Sequence, residues 1–141
     1  MTRQAVIDSC VSVKWLINED HSERAIGLLS SDVELVAPDI VLAEAANALG
    51  KTVKRGLLTP EQADARLTNL PSFFNRLLPT MDLVPEALTL GMAVDVPVYD
   101  CIYVIASRRT GTNLVTADSR LIARLVGTPD HSSVVHIADW K

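Results

Sequence analysis

Asp8, Glu44, Asp100 and Asp118 are each the only charged residue in an otherwise uncharged stretch: residues 4–13 (QAVIDSCVSV), 40–50 (IVLAEAANALG), 96–107 (VPVYDCIYVIAS) and 110–119 (TGTNLVTADS). Acidic side chains are seldom buried without a partner, because an unpaired carboxylate in a poorly solvated place costs several kcal/mol. A helix cap accounts for one lone acid. Four of them, with no Lys or Arg inside any of the stretches, point to one shared partner, and a divalent cation is the economical one. The fold must then bring segments from both ends of the chain to a single place.

At 141 residues the chain is long enough for one domain with a real core and too short for two ordinary ones, so residues 1–141 are read as a single domain. A hydrophobic content of 48% with 21% charged residues is that of a globular protein, and no apolar run approaches the roughly 18 residues of a membrane span. The N-terminus MTRQAVID lacks the pattern of a signal peptide, which sets the expectation of a cytoplasmic protein without a membrane partner. Cys10 and Cys101 both fall inside expected elements and are read as free thiols. The net charge of −4 argues against a broad phosphate-binding surface, although basic residues around an acidic pocket remain compatible with it.

Short apolar runs at residues 5–7, 34–37, 81–84, 113–116 and 134–137 read as five strands. Helical spacing falls at 11–17, 22–29, 39–55, 85–94, 98–109 and 119–126. Thr59, Pro60 and Gln62 form an N-terminal helix signature, with that helix directed toward Leu78 and broken or kinked at Pro71. Strands separated by helices give an α/β class with a parallel sheet covered on both faces. In such sheets ligands bind beyond the carboxyl ends of the strands. Asp8 and Asp118 fall at or just past strand ends and Asp100 in the first turn of a helix on that side. Glu44 needs the right helical phase to reach the same mouth; its face continues through Asn47 and Lys51.

The patterns AVIDSCVSVKWL, APDIVLAEAANAL, VYDCIYVIASRR and NLVTADSRL, in this order and spacing, resemble those of PIN-domain ribonucleases, in particular the VapC-type toxins of bacterial toxin–antitoxin pairs. The resemblance runs from Ala5 to about Ile137. It implies a three-layer fold around a five-stranded parallel sheet, with Asp8, Glu44, Asp100 and Asp118 as the four catalytic acids and hydroxyls at Ser9 and Thr116 near the pocket. Many relatives carry a fifth acid a few residues after the fourth; here Ser119, Arg120, Leu121 and Ile122 follow. The resemblance further implies cleavage of single-stranded or loop RNA, a homodimer and a cognate antitoxin protein.

Hard oxygen donors without His or Cys in the motifs suit Mg²⁺ or Mn²⁺ rather than Zn²⁺. Asp8, Asp100 and Asp118 are assigned direct metal contact, Glu44 a ligand or water-orienting role, and Ser9, Thr116 and Asn47 supporting positions. Asp118 is also placed to cap the helix that starts at Ser119. Lys14, Lys51, Lys54, Arg55, Arg108 and Arg109 are the basic residues nearest the motifs, each read as a surface charge, with some required near phosphate if RNA binds. Trp15, Phe73 and Phe74 read as core or interface, Asp95 as a solvated turn, and no histidine is given chemistry. The nearly uncharged 40–49 helix, together with Leu67, Leu70, Phe73, Phe74, Leu77 and Leu78, sets the expectation of a broad apolar surface covered by a second copy of the chain. Two other functions fit less of the pattern. A catalytically silent scaffold would be favoured by loss of an acid, and a phosphotransfer or receiver-type domain wants a second acid beside Asp8, where Ser9 and Cys10 stand.

Overall fold

Val6 and its neighbours Ala5 and Ile7 are fully buried, so this short strand is covered on both faces and can only be central. It is β1 (Gln4–Ile7) in a computed structural model that describes residues 3–141. Met1 and Thr2, where the reading of the N-terminus begins, lie outside the described residues. The order continues α1 (Ser9–Ser12), α2 (Ser22–Leu29), β2 (Glu34–Pro38), α3 (Ile40–Lys54), α4 (Pro60–Asn69), β3 (Arg76–Leu78), α5 (Val84–Val94), α6 (Val98–Thr110), β4 (Asn113–Thr116), α7 (Ser119–Leu125) and β5 (Val134–His136).

The sheet has five parallel strands in the order β3-β2-β1-β4-β5, flanked by helices. Val6 is in register with Val36 on one side and Leu114 on the other. The chain leaves β1 toward β2 and β3, then returns to the opposite side for β4 and β5. The strand order therefore reverses between β1 and β4, where the departing connections leave a crevice at the carboxyl ends. Seven consecutive residues of α6, Cys101 to Ser107, are buried, and this helix packs across β1, β2 and β4. Asp100, one residue before that run, is thereby fixed beside the crevice.

Most helix signals act as read from the sequence. Thr59 Oγ1 accepts from the Gln62 N–H (3.1 Å) and the Thr59 N–H donates to Gln62 Oε1 (3.0 Å), a complete capping box. The first helix begins earlier than its spacing indicates, at Ser9 directly after Asp8, and passes into a 3-10 turn over Val13–Trp15. Trp15 packs its ring against Phe73 and Phe74, as expected of core aromatics.

The third strand is a correction: it lies at Arg76–Leu78, and residues 81–84, the expected strand, instead run from a 3-10 turn (Thr80–Asp82) into the start of α5 at Val84. The reason is non-local. Asn75 gives its N–H to Leu35 O (2.8 Å) and takes the Leu35 N–H on its side-chain oxygen (2.8 Å), which docks the segment on β2 ahead of the turn. The helix opened by Thr59 accordingly ends at Asn69, with Pro71 in a 3-10 turn, well short of Leu78. The expected apolar surface is corrected as well. Leu70 and Phe74 are buried, and Leu67, Phe73, Leu77 and Leu78 pack against the core. The large exposed apolar residues include instead Met81 (79% exposed) in the 3-10 turn before α5 and Val84, Leu88 and Met92 at helical spacing along α5. Among the described residues no single helix is long and apolar enough to cross a membrane.

Candidate active site

Asp8 ends β1 and is the residue from which α1 departs. Its N–H donates to Val115 O (3.0 Å), locking the carboxyl end of β1 to β4. Although it stands at the N-cap position of α1, its side chain makes no cap bond; the carboxylate turns into the crevice, 4% exposed, where Thr116 Oγ1 donates to its Oδ2 (2.8 Å). Burial pushes the Asp8 carboxyl up to about 7, and the charges of Asp100 and Glu44 push the same way against the Thr116 hydrogen bond.

Thr116 joins two of the acids. Its single hydroxyl proton goes to Asp8, and the oxygen accepts the N–H of Asp118 (3.0 Å). Cys10 Sγ lies 3.4 Å from the same oxygen, so its thiol is the donor in that contact. Burial raises the Cys10 pKa above the usual thiol range, which keeps that proton in place. Cys10 and Cys101 are both free, as expected.

Glu44 reaches the mouth from the second turn of α3. Ser9 Oγ donates to its Oε2 (3.2 Å) and Tyr103 Oη to its Oε1 (2.6 Å). Tyr103 is fully buried, and burial with the nearby Asp8 and Glu44 charges drives its pKa far upward, so it remains a phenol and a donor. Sequence reading gave Tyr103 no role. The signal for it was its position three residues after Asp100 on one helix face. Asn47, expected to support Glu44, is exposed and its side chain makes no hydrogen bond among the described residues, though it lines the same cleft as Glu44 and Ser9.

Asp100 sits half-buried in the first turn of α6, and its carboxyl is shifted up by burial, then by Asp118 and Glu44. Asp118 caps α7, its Oδ1 accepting from the Arg120 and Leu121 N–H groups (3.0 and 3.2 Å). It is thus a helix cap and a wall of the crevice together. A cavity of about 220 Å³ opens beside Asp100 and Asp118, and a cleft of about 470 Å³ lies beside Ser9 and Glu44.

Of the basic residues near the motifs, Lys14 is buried and pairs with Glu19 (3.1 Å), a correction to its reading as a surface charge. Arg108 pairs with Asp130 (2.7 Å) and Arg109 with Glu86. Asp95 ends α5 with a left-handed backbone (φ 56°), the expected turn. His136 caps a 3-10 turn by accepting the Ala138 N–H (3.0 Å).

Asp8 lies near Asp100 and Glu44, and Asp100 near Asp118 and Glu44, at the carboxyl end of the sheet; among the described residues none of the four forms an ion pair with Lys, Arg or His. Their donor set is hard oxygen, which fits a hard divalent cation. No three His, Cys, Asp or Glu groups among the described residues already stand close enough together to hold an ion.

A parallel α/β sheet with acids at the switch between β1 and β4 defines the class, and the sequence matches the PIN domain over residues 5–126. The chain belongs to the PIN-domain family. It is 32% identical over 118 residues to a Pyrobaculum aerophilum protein named Ribonuclease VapC3, covering 82% of this chain and 90% of the relative. It is 31% identical over 121 residues to Ribonuclease VapC1 of Mycobacterium tuberculosis, covering 85% and 90%. Its fold is similar to a chain in the crystal structure of VapBC2 from Rickettsia felis bound to a promoter DNA fragment, with a TM-score of 0.67, 16% identity and coverage of 98% and 99%.

Proposed function

We propose that this chain is a divalent-cation-dependent endoribonuclease and the toxin of a toxin–antitoxin pair. The observation that carries the reading is the acidic crevice at the β1–β4 switch, where the charges of Asp100 and Glu44 raise the proton affinity of buried Asp8, those of Asp118 and Glu44 raise that of Asp100, and no basic side chain among the described residues pairs with any of the four. Similarity to proteins named Ribonuclease VapC supports RNA as the substrate, and the fold shared with VapBC2 supports an antitoxin partner.

Asp8, Asp100 and Asp118 would hold Mg²⁺ or Mn²⁺, and the ion supplies charge neutralisation at phosphate and a more acidic bound water. The chain's own residues do the positioning. Thr116 fixes the Asp8 carboxylate and, through the Asp118 N–H, the start of α7. Ser9 and Tyr103 hold both oxygens of Glu44, which leaves that carboxylate aimed at the mouth and able to orient a water. The exposed stripe Met81, Val84, Leu88 and Met92 is the surface offered to a second copy of the chain.

Purified protein incubated with end-labelled single-stranded RNA is expected to cleave it with Mg²⁺ or Mn²⁺, not with EDTA, and not after Asp100→Asn. Thermal melts of both proteins with and without Mn²⁺ test the site without a substrate. Mass action predicts about 2.7 kcal/mol of stabilisation at 100 times Kd for wild type, absent in the mutant. A silent PIN scaffold is the second reading, favoured by the absence of three carboxylates at mutual ligating distance among the described residues. No shift with either ion and no cleavage would establish it.

A further inference from the structure

Resting on the ribonuclease reading, we propose that Arg120 and Arg124 on α7 form a seat for a backbone phosphate adjacent to the one being cleaved. Both line the cavity of about 220 Å³ whose other wall carries Asp100 and Asp118. They stand four residues apart, on one face of the helix, so their guanidinium groups can address the same ligand.

Neither guanidinium makes a hydrogen bond or ion pair among the described residues, although three carboxylates, those of Asp95, Asp100 and Asp118, share the cavity with them. If they served only to balance the acids, close pairing would be the expected geometry. Lys14 is engaged with Glu19, Arg108 with Asp130 and Arg109 with Glu86, whereas Lys51, Lys54, Arg55 and Arg76 make no side-chain bond among the described residues either; what sets Arg120 and Arg124 apart is that both line the cavity that holds Asp100 and Asp118. Arg120 and Arg124 are therefore free to meet a ligand.

The chemistry of that ligand follows from size and charge. A cavity of about 220 Å³ is below the roughly 300–1,000 Å³ of sites that enclose a drug-sized molecule, and suits a single phosphate with its sugar. Guanidinium groups bind phosphate oxygens through paired N–H donors, with geometric definition that a lysine lacks. An RNA strand lying across Asp100 and Asp118 would bring its next phosphate to this wall. The helix that Asp118 caps, SRLIARL, carries two arginines and no acid of its own. That side of the mouth is thereby built to attract the strand rather than to enlarge the acidic cluster.

The test uses full-length Asp8→Asn protein in EDTA, so that nothing is cleaved, and fluorescence anisotropy of labelled single-stranded RNA across a salt series. Adding Arg120→Gln and Arg124→Gln is expected to raise Kd at least tenfold. It is also expected to flatten the slope of log K against log salt by about 0.7, the value for the one phosphate contact that the seat makes. Arg76→Gln, an exposed charge on the edge strand β3, is expected to change neither. The pair Arg120→Lys and Arg124→Lys should restore the slope while recovering only part of the affinity, and it carries the test should the glutamine pair fold poorly. Normal wild-type cleavage with unchanged Kd and slope in the glutamine pair overturns the phosphate seat alone. Absence of both binding and cleavage in wild type overturns the ribonuclease reading and the seat with it.

Discussion

The two halves of the mouth are built differently. Around β1 and α3, the Asp8 and Glu44 carboxylates are held by Thr116, Ser9 and Tyr103. Around α6 and α7, Asp118 commits one oxygen to the α7 amides, while among the described residues half-buried Asp100 has no side-chain partner and two arginines are unpaired. The first half is positioned by the protein before anything binds, and the second is left for the ligand to organise. A carboxylate held by buried donors costs little reorganisation when it acts, whereas an unpaired group keeps its capacity for substrate.

The largest expected effect lies in the held half. Asp8→Asn should reduce RNA cleavage to background while making the metal-free protein more stable near neutral pH, because the amide keeps an oxygen for Thr116 and removes a buried charge. The sign follows from the shift. Asp8 titrates near 7 in the folded chain against an ordinary aspartate value of 3.8, so between these values the folded state retains a proton that the unfolded state has lost. Stability of metal-free wild type should therefore fall as pH rises from about 4 to about 7, by at most about 1.4 kcal/mol per unit. Above that window this contribution is flat. Urea titrations across the range check it; an equal slope in Asp8→Asn would assign the dependence to another group.

Tyr103→Phe comes next. It leaves Glu44 with one donor instead of two, and loss of such an orienting partner typically costs about 10–100-fold in activity or metal affinity. Asn47→Ala, on the exposed side of α3, should change little by comparison. Equal losses from the two would erase the distinction between held and open positions. Gly91→Ala probes the wall of the open half: a Cβ there would stand 2.8 Å from Val96 O, in the backbone leading to Pro97 and Asp100. Overpacking of this kind costs about 1–3 kcal/mol, measurable as a lower Tm, with cleavage reduced alongside it. The smallest effect on folding is expected from Asp118→Asn. Asparagine caps helices as well as aspartate does, so stability should stay within about 0.5 kcal/mol while cleavage is lost.

Local signals were legible where the physics is local. The Thr59–Gln62 capping box, the left-handed turn at Asp95 and the uninterrupted apolar strands β1, β2 and β4 need only a few neighbouring residues to declare themselves. Lone charges in neutral stretches are equally visible, because desolvation penalises a carboxylate whatever fold surrounds it. The edge strand β3 was hidden since Arg76, Leu77 and Leu78 continue an apolar pattern readable as helix, and their identity comes from pairing with β2 some forty residues earlier.

The sequence by itself therefore determined the α/β class, most helix starts and the set of acids, since periodicity, caps and isolated charge act over a few residues. Only the tertiary structure decided how those acids are held. The Tyr103–Glu44 and Thr116–Asp8 bonds join residues 59 and 108 apart in the chain. The unusual proton affinity of Asp8 arises from burial between elements. The freedom of Arg120 and Arg124 is likewise a property of the fold, because whether a charge finds a partner depends on everything packed around it.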